Sequence, residues 1–411
     1  MQIYLDHAAT TPMLPVAIDA WQLAAAEIGN AAALHAAGRN VRRIVEESRE
    51  QIAAAVGAHP AEVVFTSGAT EADNLAVLGI ARARRAADPR ANRVLLSAVE
   101  HPAVHAAAWQ LAAEKFEIVE IPVGRDGGLQ LAALQAEMAA NPVQVALLSC
   151  VWVNNEIGVI EPIPAVCDMA ATAGIPVHSD AVQALGVLPV SFNAVAAELS
   201  AISISAHKVG GPVGVGALLV RRTTPIVPIS YGGGQERQLR SGTLAAPLVA
   251  SFAAALDEVV RERTARVAAL YKLRNKLTQG LIALGAEIIG GVSEMELPPG
   301  ETSDASAIGL ATPVELCRPT QAPHICYALF PGHRAETLLM LLDDAGVAAS
   351  AGTACSAGVV RPSETLLALG YPTRAALSGV RFSLGWTTTQ DDIATLQAVL
   401  PTVLARSKAA I

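Results

Sequence analysis

Val63-Val64-Phe65-Thr66-Ser67-Gly68-Ala69-Thr70-Glu71 passes from a short apolar run through a turn of small residues into a helical pattern. The run reads as a buried strand, and a helix is expected over residues 70–87. Small residues at such a turn expose backbone N–H groups at a helix N-terminus, where a phosphate binds readily. A plain helix N-cap is the other use of the same residues. Upstream, Val41, Ile44, Val45, Ser48, Ile52 and Val56 fall on one helical face. Downstream, strand patterns recur at 93–97, 117–122, 143–150 and 175–179, separated by helical stretches, and 200–205 and 215–220 complete the series. This alternation predicts an α/β fold with parallel pairing and helices on both faces. Ligands in such folds sit beyond the carboxyl ends of the strands. After residue 250 the character changes. A long helical segment, about 250–284, leads into shorter strands and helices that read as a smaller α+β domain. Residues 293–320, rich in Pro, Glu, Ser and Thr and without periodicity, read as an exposed insertion, with a functional lid as the alternative.

The chain has 411 residues, 52% of them hydrophobic and 16% charged, which places it among globular proteins with a large core. A net charge of −8 argues against nucleic acid or an anionic membrane as the main partner. No apolar run approaches the roughly 20 residues needed to span a bilayer, and the opening Met1-Gln2-Ile3-Tyr4-Leu5-Asp6 does not read as a signal peptide. The five cysteines, Cys150, Cys167, Cys317, Cys326 and Cys355, are scattered, so a disulfide framework is not expected. A reducing cytoplasm fits best.

Five stretches carry chemistry. In Ser205-Ala206-His207-Lys208-Val209-Gly210-Gly211-Pro212 a lysine sits between an apolar strand and a glycine-rich turn. Partly desolvated, such a lysine forms Schiff bases; otherwise it is a surface-turn residue. Val177-His178-Ser179-Asp180 places an acid at a strand end, suited to a protonated pyridine nitrogen or to capping the next helix. Ala69, Thr70 and Ser205 are candidate phosphate donors. Glu100-His101 offers a ring that can stack on a cofactor; the pair His101 and His105 has metal-like spacing but lacks a third ligand. Finally, Gly352-Thr353-Ala354-Cys355-Ser356-Ala357-Gly358 sets a thiol among small residues, as an accessible nucleophile would be, whereas Cys150, Cys167 and Cys326 lie in or near apolar stretches and read as inert.

Together these pieces resemble the class V aminotransferase superfamily, and within it the cysteine desulfurases. The resemblance is carried, in order along nearly the whole chain, by Tyr4-Leu5-Asp6-His7-Ala8-Ala9-Thr10-Thr11-Pro12, Ser67-Gly68-Ala69-Thr70-Glu71, Glu100-His101 and Asn154-Asn155-Glu156-Ile157-Gly158. Asp180 with Gln183, Ser205 with His207-Lys208, and Gly232-Gly233-Gly234-Gln235-Glu236-Arg237 with Arg240-Ser241-Gly242-Thr243 follow. Gly352-Thr353-Ala354-Cys355 and Arg381-Phe382-Ser383-Leu384-Gly385 close the set. The long segment around Cys355 is similar to that of desulfurases serving iron–sulfur scaffold proteins. Two departures stand out: Asn30-Ala31-Ala32-Ala33 replaces a Ser-bearing segment, and 293–320 is longer than the usual connection.

The resemblance implies the aspartate aminotransferase-like fold of pyridoxal 5′-phosphate enzymes. A large domain (14–255) holds a mainly parallel sheet between helices, and a small one (1–13 with 256–411) carries the Cys355 segment. It implies that Lys208 carries the cofactor as a Schiff base and acts as general base, that Asp180 pairs with the ring nitrogen, and that His101 stacks on the ring. Gln183 and Asn155 would reach the ring hydroxyl or substrate. Ala69, Thr70, Ser205 and His207, with Thr243 of a neighbouring subunit, would hold the phosphate. Arg381 would bind the substrate carboxylate. L-cysteine would lose its sulfur to Cys355, itself a candidate transient iron–sulfur ligand, giving alanine and a persulfide passed on to a scaffold or other acceptor protein. A homodimer in the cytoplasm is implied, with no membrane or direct nucleic-acid partner and no resident metal. A selenocysteine lyase, a cysteine-sulfinate lyase, a class V aminotransferase and a non-catalytic cofactor-binding scaffold are the alternatives.

Overall fold

The computed structural model describes residues 2–195, 199–290, 320–352 and 361–409. Seven strands form one sheet, ordered Val63–Thr66, Gly216–Val220, Leu199–Ser205, Val177–Asp180, Val145–Ser149, Arg93–Ser97, Glu117–Ile121. The last five of these pair in parallel. Most strands are buried along their full length, as expected where helices cover both faces. Neighbouring residues on a strand enter different cores. Val64, Val94 and Leu96 meet Leu75 and Ile80 of the helix Ala69–Ala87, whereas Phe65 and Leu95 face the opposite core with Val45 and Ile52 of the helix Ala36–Ala55. The edge strand Glu117–Ile121 is partly exposed and carries Glu117 and Glu120, charges that discourage pairing with another chain.

One strand departs from the parallel pairing expected of the series. Gly216–Val220 runs antiparallel to both its neighbours. Residues 206–215 contain only a short 3₁₀ turn, Ala206–Lys208, and a parallel return needs a longer crossover, usually helical. The resulting hairpin sets Lys208 at the carboxyl end of Leu199–Ser205.

The helix Ala246–Ala283, 38 residues long, packs against the helices Pro15–Ala25 and Ala36–Ala55, and its later part leads to a second sheet. That sheet is antiparallel, in the order Glu287–Ile289, Ile325–Leu329, Gly379–Ser383. The helices Ala335–Asp344 and Gln390–Ala409 pack together beside it. The chain's first strand, Ile3–Tyr4, runs parallel to Val347–Ala348, and Asp6 bridges to Ser383, so the N-terminus joins this smaller unit. No helix among the described residues is long and apolar enough to cross a membrane.

Candidate active site

The carboxyl ends of the parallel strands open into a cavity of about 400 Å³. Lining it are Ala69, Thr70, His101, Asn155, Asp180, Gln183, Ser205, His207, Lys208 and Arg381. Thus every candidate side chain in the described residues except Thr243 converges there. Thr243 is exposed and does not line the cavity of its own chain. Cys355, and nearly all of 293–320 with Cys317, lie outside the described residues. The other three cysteines are buried, and burial raises the thiol pKa of Cys150 and Cys326.

Lys208 Nζ donates to the carbonyls of Ala8 (2.5 Å) and Ala9 (2.7 Å), so the N-terminal segment holds the amine in the cavity. Burial, helped by Arg381, lowers its pKa from 10.5 to about 8, against the attraction of Asp180 and Asp6. A lysine so placed is partly neutral near physiological pH, as a nucleophile or base must be.

Asp180 ends its strand. Its Oδ1 accepts from the Val182 N–H at 2.9 Å, so it does cap the following turn while also facing the cavity. One oxygen each of Asp73 and Asp180 and a ring nitrogen of His101 lie within 4.8 Å of one another. Two ionised carboxylates here would repel in a dry site. Burial raises both carboxyls, and Asp73, fully buried beside Asp180, is pushed well above the usual carboxylate range, while His101 and Lys208 favour the charged form of Asp180. Behind Asp73, His178 is held between the hydroxyls of Ser149 and Ser203, each at 3.0 Å, and burial lowers its pKa to about 3, which keeps it neutral.

His101 caps the helix Pro102–Ala112. Its Nδ1 accepts from the Ala103 N–H at 3.1 Å, which leaves Nε2 to carry the proton of the neutral ring. Burial lowers its pKa despite Asp180. His105 lies elsewhere, with Nε2 2.9 Å from Glu120 and 3.1 Å from Trp109, so the His101–His105 pair builds no shared site.

The helix Ala69–Ala87 begins at Gly68 with no side-chain cap, and its first turn lines the cavity. Its leading N–H groups are therefore available to an anion. Ser205 and His207 face the same end, and burial lowers the His207 pKa to about 4. Arg381 donates from Nη1 to the Asn155 carbonyl (2.7 Å) and from Nη2 to Asp6 Oδ1 (2.9 Å), while its buried Nε has no partner among the described residues. Gln183 is spanned, donating to the Ala8 carbonyl at 2.9 Å and meeting His324 Nε2 at 3.0 Å.

This donor set fits a phosphorylated pyridine aldehyde: an anion site at an uncapped helix, a buried carboxyl at a strand end for a protonated ring nitrogen, a neutral ring to stack, and an amine of lowered pKa. Comparison with known proteins agrees. The aminotransferase class-V family model matches residues 3–292 and 304–396. An IscS-like cysteine desulfurase of Mycobacterium tuberculosis is 41% identical over 99% of this chain and 97% of its own. The chain belongs to the class V aminotransferases, within their cysteine desulfurase branch. Among solved structures, a NifS-like protein superposes with a TM-score of 0.85 at 29% identity, covering 99% of this chain and all of the other. A structure described as SspA in complex with cysteine superposes at 0.74, with 26% identity, over 93% of this chain and 99% of the other.

Other residues of this desulfurase site are not singled out by the sequence motifs as functional. Asp6 pairs with Arg381 across nearly the entire chain, Asp73 and His178 sit behind Asp180, and Glu156 lies beneath Asn155. Asp73 carried a usable signal: an acid on the otherwise apolar face of a helix that leaves the phosphate turn.

Proposed function

We propose that this chain removes sulfur from L-cysteine with pyridoxal 5′-phosphate, giving L-alanine and a persulfide on Cys355. What carries the reading is the convergence of Lys208, Asp180, His101 and Arg381 on one cavity at an uncapped helix N-terminus. When bound, the cofactor supplies an electron sink for the substrate α-carbon. Asp180 would hold its protonated ring nitrogen, His101 its ring face, and Ala69, Thr70, Ser205 and His207 its phosphate, completed by Thr243 of a partner subunit in a homodimer. Arg381 would orient the substrate carboxylate through its guanidinium fork, with Asn155 beside it. Lys208, its amine held in the cavity with a lowered pKa, would take the substrate α-proton as general base. The Cys355 thiolate then attacks the substrate sulfur. A sulfur–sulfur bond forms, the substrate carbon–sulfur bond breaks, and its electron pair, after protonation, becomes the methyl C–H of alanine. L-cysteine and a thiol thus become L-alanine and a persulfide with no other oxidant or reductant. The persulfide sulfur passes to an iron–sulfur scaffold or other acceptor protein, and a reducing cytoplasm suits this thiol chemistry.

Replacing Cys355 tests the reading. Cys355→Ser should bind cofactor and cysteine and still exchange the α-proton, because Lys208 and Arg381 are untouched. It should not release alanine, since a hydroxyl is almost never ionised at neutral pH whereas a few per cent of a thiol is. Normal alanine release, or a persulfide mapped to Cys317 or Cys326 after one turnover, would overturn the assignment.

A further inference from the structure

Glu156 lies immediately after Asn155 and is buried. Its Oε2 accepts from the Ser363 hydroxyl at 2.6 Å, and its Oε1 from the Thr365 hydroxyl at 2.9 Å. Ser363 also caps the helix Glu364–Ala368 through the Leu366 N–H (3.0 Å). Across from it, a Cβ built on Gly352 would stand 3.0 Å from Tyr327 Cε2 and 3.3 Å from Glu156 Cγ, so the Gly352 backbone passes close beside both side chains, while its own N–H donates to Ser350 Oγ at 3.1 Å. Gly352 has φ +84°, and the preceding Ala351 carbonyl accepts from the Tyr327 hydroxyl at 3.2 Å. Ser350 exchanges both backbone hydrogen bonds with Arg381. Gly352 and Ser363 are the two stems of the segment that contains Cys355; Ser363 is hydrogen-bonded to the Glu156 carboxylate and Gly352 packs close to the same side chain. The backbone bearing that carboxylate is the cavity edge where the Asn155 carbonyl receives Arg381. Cys355 is three residues from the Gly352 stem, a reach of at most roughly 10 Å.

We propose that Glu156 is a positioning residue for sulfur transfer: its side chain holds one stem of the Cys355 segment by hydrogen bonds to Ser363 and Thr365 and packs beside the other at Gly352, setting both against the Asn155 edge of the cavity. It touches neither cofactor nor substrate, and acts on where the thiol starts its attack. Burial raises its pKa while the two hydroxyl donors oppose the rise. The inference rests on the desulfurase reading above, and its test separates the two.

Glu156→Ala is compared with the parent enzyme in three measurements: cysteine α-proton exchange, single-turnover persulfide formation on Cys355, and amide hydrogen exchange of the cofactor-free protein. Persulfide formation should fall on the order of 10- to 100-fold, the effect of a nucleophile displaced by about 1 Å. Proton exchange and the cysteine concentration that half-saturates it should stay at parent values. Amide exchange should rise together at 348–352 and at 363–369, and alkylation of Cys355 in the cofactor-free protein should change rate. Glu156→Gln, which keeps one acceptor, should recover part of the loss. Thr365→Val removes one hydroxyl donor that does not itself line the cavity and should show the same split on a smaller scale, even if Glu156→Ala folds poorly. Loss of proton exchange in step with persulfide formation, exchange rising on one stem alone, or parent-like persulfide formation in both Glu156→Ala and Thr365→Val would each overturn the proposal. Failure of the underlying reading looks different: the parent would then release alanine without needing Cys355.

Discussion

Lys208 should titrate far below an ordinary lysine, and it should do so before any cofactor is present. The cause is geometric. The amine is largely desolvated and near the Arg381 guanidinium, and together these outweigh the attraction of Asp180 and Asp6, which brings the pKa to about 8. Against a starting value of 10.5, the shift corresponds to about 3 kcal/mol of penalty on the protonated form in the folded state. At pH 8 the neutral fraction is then about half, on the order of 100-fold more than an unperturbed lysine offers. The sign for stability follows. Below pH 8 the amine is protonated whether the chain is folded or not, and the folded state bears the full penalty. Between pH 8 and 10.5 the unfolded chain binds more protons, so the cofactor-free protein gains stability from this group as pH rises. Pulse acetylation of cofactor-free protein across pH 6–11, read by mass spectrometry on the Lys208 peptide, measures the midpoint, with the exposed Lys272 and Lys276 as internal references. Asp180→Asn should lower the midpoint further by removing an attractive charge, and Arg381→Met should raise it. A Lys208 that reacts in step with Lys272 and Lys276, or that ignores both substitutions, would refute the account of how this amine becomes reactive.

Further outcomes bear on the fold and assembly. Glu236 receives Arg49 through both carboxylate oxygens (2.7 and 2.8 Å) and the Phe65 N–H (2.8 Å), with its own side chain 1% exposed. Glu236→Ala leaves the buried Arg49 with only the exposed Glu46 and the Val63 carbonyl and orphans the Phe65 N–H, and should cost about 2–3 kcal/mol, read as a lower urea midpoint; a loss under about 1 kcal/mol would contradict the burial argument. Mixing Lys208→Ala with Thr243→Ala subunits should restore activity through the one intact composite site in each mixed dimer, whereas a fully active monomer in sedimentation would exclude shared sites. Removing residues 294–315 should leave alanine production from cysteine unchanged when no acceptor is present, because that composition lacks a core-forming pattern; a large loss with the fold intact would make the segment a working lid.

The strands were legible because burial on both faces leaves nearly continuous apolar runs, as in Val63–Thr66 and Val145–Ser149, and such runs survive in one dimension. Their direction did not. Gly216–Val220 has the same pattern as the parallel strands of its sheet, and only the shortness of 206–215 distinguishes it. The candidate site residues were legible for a related reason. In an α/β sheet a polar residue placed just past an apolar strand must emerge at the ligand edge, and Asp180, Lys208 and His101 all obey this. What stayed hidden was every role defined by a partner distant in sequence. Asp6 is one acid among many until Arg381 folds against it from 375 residues away. Glu156 reads as part of a motif, yet its meaning depends on Ser363 and Gly352 arriving from the smaller unit. The two classes of residue fail differently. Losing Lys208 or Asp180 removes a chemical group, which no rearrangement replaces. Losing Asp6 or Glu156 leaves every reacting group in place and misplaces one of them, so its cost should appear in a single step of turnover while the steps before it run on.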